Sequence, residues 1–301
     1  MDNNILDLLK PYGEIQENVS FKTLTTFRVG GIAKTVIYPN DSFSLISIIK
    51  ILKDNDCEYK FFGNGSNILC SEDEYDGFII RLNRTMNNFF FDEDYLTAQA
   101  GCSIINLSYQ AMKNSLSGLE FASGIPGTLA GCIFMNAGAY KSDMSNIIEE
   151  VEVLVDDKII WLNNKECDFS YRHSIFSAHP DWIIISAKIR LHKGDQQQIS
   201  ELMKNRQERR MTTQPLEYPS AGSTFRNTEE HFAWKLIDEI GYRGKKIGGA
   251  QVSEKHSNFI INVDNASADD IIKLTDEIKR EVKDRFNVDM IMEVEKFNWK
   301  Q

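Results

Sequence analysis

Two glycine-bearing stretches are the first candidates for chemistry. Residues 117–140 contain Gly118, Gly124, Gly127, Gly131 and Gly138 with Pro126, set among small apolar residues with almost no charge. Repeated glycine in an apolar segment suits backbone amides turned on an anion, and it equally suits a tight buried crossover between strands. On composition alone the crossover is the simpler reading. The segment is neither a Walker A loop nor a Rossmann fingerprint, because Gly-Lys-Ser/Thr and Gly-x-Gly-x-x-Gly are both absent. The shorter stretch, Gly63-Asn-Gly-Ser-Asn67, follows the apolar run Tyr59-Lys-Phe-Phe62. That places a glycine loop at the carboxyl end of a strand, where ligands of α/β folds gather.

Isolated polar residues add further candidates. Arg172 lies between strands in Asp168-Phe-Ser-Tyr-Arg-His-Ser174, and Ser223 lies in the small-residue turn Ala221-Gly-Ser-Thr. Glu293 sits on the polar side of an alternating run in which Met290, Met292 and Val294 form the other side. Each also has an ordinary reading: a solvated arginine, a turn serine, an edge-strand carboxylate. No Gly-x-Ser-x-Gly elbow surrounds Ser223, which disfavours a hydrolase nucleophile. His256 has no histidine partner at ligand spacing, so no metal site is expected.

The elements that must position these residues read as α+β. Thr35–Tyr38 is a strand stopped by Pro39, and Asp41 or Ser42 caps a helix with Leu45, Ile49 and Leu52 on one face. Further strands are expected at 78–82, 95–98, 151–155, 158–162, 183–191, 259–262 and 290–295, with helices at 103–115 and 196–210. Asp156 and Asp157 turn one strand into the next. Ser267-Ala-Asp-Asp270 has the form of a capping box opening a helix that carries Ile271, Leu274, Ile278 and Val282. His192-Lys-Gly-Asp195 is the candidate boundary, giving an extension (1–22), a larger domain (23–194) and a smaller one (195–301).

With 34 basic and 44 acidic side chains the net charge is −10, which argues against broad binding to nucleic acid or membrane. The 5 cysteines are odd in number and scattered, so reduced thiols are expected. Met1-Asp2-Asn3-Asn4 lacks a signal-peptide pattern, and a cytoplasmic protein is expected.

Taken in order, the motifs resemble the UDP-N-acetylenolpyruvoylglucosamine reductase (MurB) family. They are Thr26-Phe-Arg-Val-Gly-Gly31, Gly63-Asn-Gly-Ser-Asn67, Gly124-Ile-Pro-Gly-Thr128, Met135-Asn-Ala-Gly-Ala-Tyr140, Tyr171-Arg-His-Ser174, Tyr218-Pro-Ser-Ala-Gly-Ser-Thr-Phe225 and Ile247-Gly-Gly-Ala-Gln-Val-Ser253. The uninterrupted run from Glu217 to Ser223 is similar to the shorter subclass, type II. The resemblance implies an FAD-binding domain of the vanillyl-alcohol-oxidase (PCMH) type and a C-terminal α+β substrate domain. It implies non-covalent FAD, NADPH as reductant and a UDP-sugar substrate. Gly63, Asn64, Gly65, Ser66 and Asn67, with Gly124, Ile125, Pro126, Gly127, Thr128, Gly131, Asn136, Ala137 and Gly138, would hold the cofactor. The resemblance thereby turns the glycine stretch from crossover to one wall of a diphosphate site.

By the same resemblance, Arg172 and Glu293 stabilise the enolate that develops when hydride reaches the enolpyruvyl methylene carbon, and Ser223 donates the proton. Tyr140, Tyr171 and Asn227 match substrate-contacting positions. Three departures stand out: Lys141 where the family usually has glycine, Thr228 where proline is frequent, and Glu295 in Glu293-Val-Glu-Lys296 where Glu-Val-Arg is common. Arg243, Lys245, Lys246 or Lys255 is then a candidate for the charge that binds UDP or NADPH. The rival readings are a related FAD oxidoreductase on another small molecule and a catalytically silent UDP-sugar or flavin-binding protein.

Overall fold

The computed structural model describes residues 3–299; Met1 and Asp2, on which part of the N-terminal reading falls, lie outside the described residues. The described residues form two compact units, one from the residues up to 17 with 35–64 and 77–208, the other from 18–34, 65–76 and the residues from 209 onward. The linear segments expected from sequence are thus interleaved in these units.

The first unit is built on a five-stranded antiparallel sheet. Its order is Lys158–Asn163, Ile148–Val155, Ile183–Arg190, Tyr95–Gln99, Phe89–Asp92. Val151 and Val153 are fully buried while Glu150 and Glu152 are only half-buried, as period-2 alternation requires. The hairpin turn Asp156-Asp157 takes φ of 45° and 62°, the left-handed pair of a two-residue turn. The central strand Ile183–Arg190 buries more than alternation suggests, with Ile184 and Ser186 also inside. A four-stranded sheet runs in the order Gly13–Ser20, Ile32–Pro39, Tyr75–Ile80, Tyr59–Phe61. The last two pair in parallel, so Tyr75–Ile80 lies between the strands of the expected β-α-β unit.

Local signals hold the helices of this unit in place. Helix Ser42–Asp54 is capped by Asp41, whose carboxylate accepts the Ser44 N–H at 2.8 Å, and it buries Leu45, Ile48, Ile49 and Leu52. Helix Ile104–Lys113 is capped by Ser103. The strands Gly13–Ser20 and Phe89–Asp92 were not legible from sequence. The first buries almost nothing, so selection for an apolar face left no pattern to read.

The second unit packs helix Ala268–Phe286 against the three-stranded sheet Lys246–Ile247, Ala250–Val252, Ile260–Asn262 and helix Ala233–Glu239. The capping box forms as read: Ser267 accepts the Asp270 N–H and Asp270 accepts the Ser267 N–H. The C-terminal strand differs from the expectation. It is Glu295–Phe297, parallel to Ile68–Cys70, and 290–294 contributes only the isolated bridge Phe225–Met292. The expected two faces survive without a ladder: Met290 and Val294 are buried and Ile291 is exposed.

Candidate active site

In the first unit the two glycine stretches meet at Gly63. A side chain there would bring its Cβ to 2.6 Å from Thr128 Oγ1, so only glycine fits. The Asn64 amide donates to the Pro126 carbonyl at 3.1 Å, and Asn83 donates to Asn64 Oδ1 at 3.2 Å. Thr128 caps the short helix Leu129–Phe134 by accepting the Gly131 N–H at 3.3 Å. The sequence had not shown this helix, because Gly131 masks its periodicity. Several amides expected to face an anion make internal bonds: Ile125 to Ala122 O, Gly127 to Ile125 O, Ala137 to Cys132 O. The Gly124 N–H and those of Gly63 and Asn64 make no such backbone bond among the described residues. Arg81 and Asn83, not among the candidates named from sequence, complete this region. They close the apolar run Phe78-Ile-Ile-Arg-Leu-Asn83, where nothing in the residue types marks Arg81 as buried.

The first unit also carries Arg172, beside Tyr171, and the separate turn that bears Tyr140. Arg172 has φ of 55° at the tip of a tight turn whose ends, Ser170 and His173, exchange backbone hydrogen bonds. Its guanidinium donates to the Gly138 carbonyl at 3.3 Å and lies 5.1 Å from the Tyr171 ring centroid. Asn136 is buried; it donates to Ser170 O at 3.0 Å and accepts from Ser145 N at 2.9 Å. Thus Asn136, expected to touch the cofactor, has both ends of its amide tied to the protein and anchors the Arg172 turn. Gly138-Ala139 pairs with Ser142-Asp143, leaving Tyr140 and Lys141 as a two-residue turn with φ of 56° and 63°. The Tyr140 hydroxyl donates to Arg206 O at 2.9 Å and its ring stacks near the Arg206 guanidinium.

The second unit carries Ser223 and Glu293 on adjacent backbone. Glu293 N donates to Thr224 O at 2.8 Å, next to the Phe225–Met292 bridge. Buried Asn258 brackets the serine segment: its Oδ1 accepts Phe225 N at 3.0 Å, its Nδ2 donates to Phe225 O at 2.8 Å, and its carbonyl accepts Thr224 N. The half-buried Ser223 hydroxyl makes no hydrogen bond among the described residues. The glycine loop's second half belongs here too. Gly65 has φ of 62°, and Asn67 donates to Glu293 O at 3.0 Å while its own carbonyl accepts Glu295 N at 2.9 Å. Asn67 therefore fixes the backbone on both sides of Val294. Asn227 accepts the Ala233 N–H at 3.0 Å and so begins helix Ala233–Glu239.

The departures acquire physical reasons. Lys141 occupies a left-handed position that glycine fills without strain. Thr228 donates its N–H to His231 O at 3.0 Å and accepts His231 N through Oγ1, bonds that proline cannot duplicate. Glu295 is exposed at its surface, yet desolvation raises its carboxyl above the usual value, and the Arg226 guanidinium opposes that rise. Of the candidate cations, Arg243 bonds Asp238 and Glu254 O, Lys245 pairs with Glu277, and Lys255 pairs with Glu217. Lys246 is exposed and makes no ion pair among the described residues. The cysteines are all unpaired; burial pushes Cys102 up to about 11, and Cys132 and Cys167 up to about 12. No helix among the described residues is long and apolar enough to cross a membrane.

The fold is mixed α+β, with a glycine cradle in one unit and Ser223 and Glu293 on adjacent backbone in the other, and family matches place it among FAD-binding proteins. Residues 33–162 match the FAD binding domain model and residues 214–297 match the UDP-N-acetylenolpyruvoylglucosamine reductase C-terminal domain model. The chain is 40% identical over 293 residues, 97% of its length and 96% of the relative's, to UDP-N-acetylenolpyruvoylglucosamine reductase of Caldanaerobacter subterraneus. Identity to the reductase of Clostridium novyi is also 40%, covering 97% of this chain and 95% of the relative. The crystal structure of the MurB reductase from Thermus caldophilus superposes with a TM-score of 0.81 at 30% identity, covering 95% of this chain and 100% of that one. The chain belongs to the UDP-N-acetylenolpyruvoylglucosamine reductase family.

Proposed function

We propose that the protein is an NADPH-dependent, FAD-containing reductase that converts UDP-N-acetylenolpyruvoylglucosamine to UDP-N-acetylmuramate in peptidoglycan precursor synthesis. The observation that carries the reading is that Arg172, Ser223 and Glu293 all stand in family motifs and each is fixed by its own polar bracket. Those brackets are Asn136 for the Arg172 turn, Asn258 for the Ser223 segment and Asn67 for Glu293.

The residues present fit FAD. Gly63 admits no side chain, and the neighbouring Arg81 brings a buried guanidinium whose Nε has no partner. Gly63, Asn64 and Gly124, whose N–H groups make no backbone hydrogen bond among the described residues, are assigned to the diphosphate. FAD, when bound, supplies the chemistry that takes hydride from NADPH and passes it to the substrate.

This chain's side chains then manage charge and proton. Hydride addition at the enolpyruvyl methylene carbon moves an electron pair toward the carboxylate. The Arg172 fork meets the growing negative charge with paired N–H donors, and strengthens as the charge grows. Glu293 is assigned as the hydrogen-bond donor to the carboxylate's other oxygen. Ser223 delivers its hydroxyl proton to the carbon next to the new methyl group. Serine is a weak acid, so this transfer proceeds only because the receiving carbon is strongly basic. Tyr140, Tyr171 and Asn227 are assigned to positioning the substrate.

The test is substrate-dependent turnover. Protein purified with FAD should oxidise NADPH rapidly only when the enolpyruvyl UDP-sugar is added, with UDP-N-acetylmuramate as product. Turnover of an alcohol with oxygen instead would support the related-oxidoreductase reading.

A further inference from the structure

Arg81 is 8% exposed and follows directly on strand Tyr75–Ile80, with its own N–H bonded to Ile37 O at 2.9 Å. Its Nη2 donates to the Gly63 carbonyl at 2.9 Å, and its Nε is buried without a partner. Among the described residues no carboxylate lies within ion-pair distance of it. A guanidinium withdrawn from water and left without a counter-charge is costly, and a single carbonyl does not offset that cost. Two residues on, Asn83 donates to Asn64 Oδ1 while its own Oδ1 is buried and unpartnered. The same Asn64 side chain ties on to Pro126 O. Within the first unit, then, an uncompensated cation and an amide relay converge on Gly63 and Asn64.

We propose that Arg81 is a positioning residue and counter-charge for the diphosphate of bound FAD, with Asn83 locking the loop through Asn64. The inference rests on the FAD reading above. Peptide planarity supplies the mechanism. In a trans peptide the C=O and the following N–H point in opposite directions, so drawing the Gly63 carbonyl toward Arg81 turns the Asn64 N–H away from it. That N–H makes no backbone hydrogen bond among the described residues and is thereby presented to an anion. The cation behind the peptide polarises it and adds a charge term in a low-dielectric setting. Asn83 keeps the Asn64 side chain fastened to Pro126 and out of the anion's place.

The experiment titrates FAD into apo-protein, following flavin fluorescence, and melts the same apo-proteins without FAD. Arg81→Met should weaken FAD binding at least about tenfold, the loss expected for a charge-assisted contact. Arg81→Lys should recover part of it by restoring charge without the fork. The apo melting temperature of Arg81→Met should stay within a few degrees of wild type, because an uncompensated buried charge is exchanged for an apolar chain. Asn83→Asp replaces a donor to Asn64 with a repelling carboxylate and should also weaken FAD at least about tenfold. It decides the matter if Arg81→Met does not fold. Unchanged FAD affinity in Arg81→Met, or in Asn83→Asp, overturns the proposal. A fall in apo melting temperature that accompanies the FAD loss equally in Arg81→Met and Arg81→Lys also overturns it, as a purely structural role. Wild-type protein that takes up no FAD overturns the cofactor reading itself, which separates the two failures.

Discussion

In the proposed mechanism Ser223 and Glu293 have different tasks, and substitution should separate them. Ser223→Ala removes only the proton source, so reduction of the enzyme by NADPH should be nearly intact while reoxidation by substrate slows roughly 100-fold or more. Stopped-flow absorbance of the two half-reactions checks this, and equal slowing of both contradicts the assignment. At Glu293 a glutamine still offers N–H donors where alanine offers none. Glu293→Gln should therefore keep measurably more kcat than Glu293→Ala, and the reverse order would rule out donation by this side chain. The sequence exposed these residues through motif order, not through their surroundings. It could not show that Asn136 and Asn227 spend their amides inside the protein, since an amide's partner depends on tertiary placement. Nor could it distinguish Arg81 from any solvated arginine, because burial and the missing counter-charge exist only in the folded chain.

The short elements that hold the site make their own predictions. Lys141 takes φ of 63° in the Tyr140–Lys141 turn, a conformation that costs a side-chain-bearing residue roughly 1 kcal/mol. Lys141→Gly should thus raise stability slightly in a denaturant melt; a clear loss would mean that the lysine side chain holds the turn. The Asn258 bracket is sensitive to acid. Asn258 N donates to His256 Nδ1 at 3.3 Å, which requires that nitrogen to be unprotonated. Desolvation lowers the His256 pKa, with the nearby Arg243 charge adding to it. A base whose folded pKa lies below its unfolded value of 6.5 binds fewer protons when folded, so its contribution is fully present above 6.5 and is lost as pH falls from there toward the folded pKa. Stability should decline across that window, and His256→Gln should remove this component; an unchanged pH profile in the variant would exclude His256 as its source. Capped helices and alternating strands were the legible elements, because Asp41, Ser103 and Ser267 act locally. The run 290–295 was legible only in its two faces, since Asn67 rather than a neighbouring strand fixes its backbone.

At the scale of the whole molecule, composition set limits and the ordered motifs supplied identity. An acidic chain with net charge −10 must bind an anionic cofactor through local geometry, and a glycine cradle backed by one buried arginine is such a geometry. The interleaving of 18–34 and 65–76 with 209–301 had no signature in sequence, because compactness depends on contacts between distant segments. A single turnover tests the proposed activity. Protein reduced anaerobically with one equivalent of NADPH is mixed with UDP-N-acetylenolpyruvoylglucosamine in the stopped-flow, and the return of oxidised flavin absorbance is followed together with product. Prompt reoxidation with one UDP-N-acetylmuramate formed per flavin is expected; reduced flavin that persists in the presence of this substrate would overturn the proposed activity.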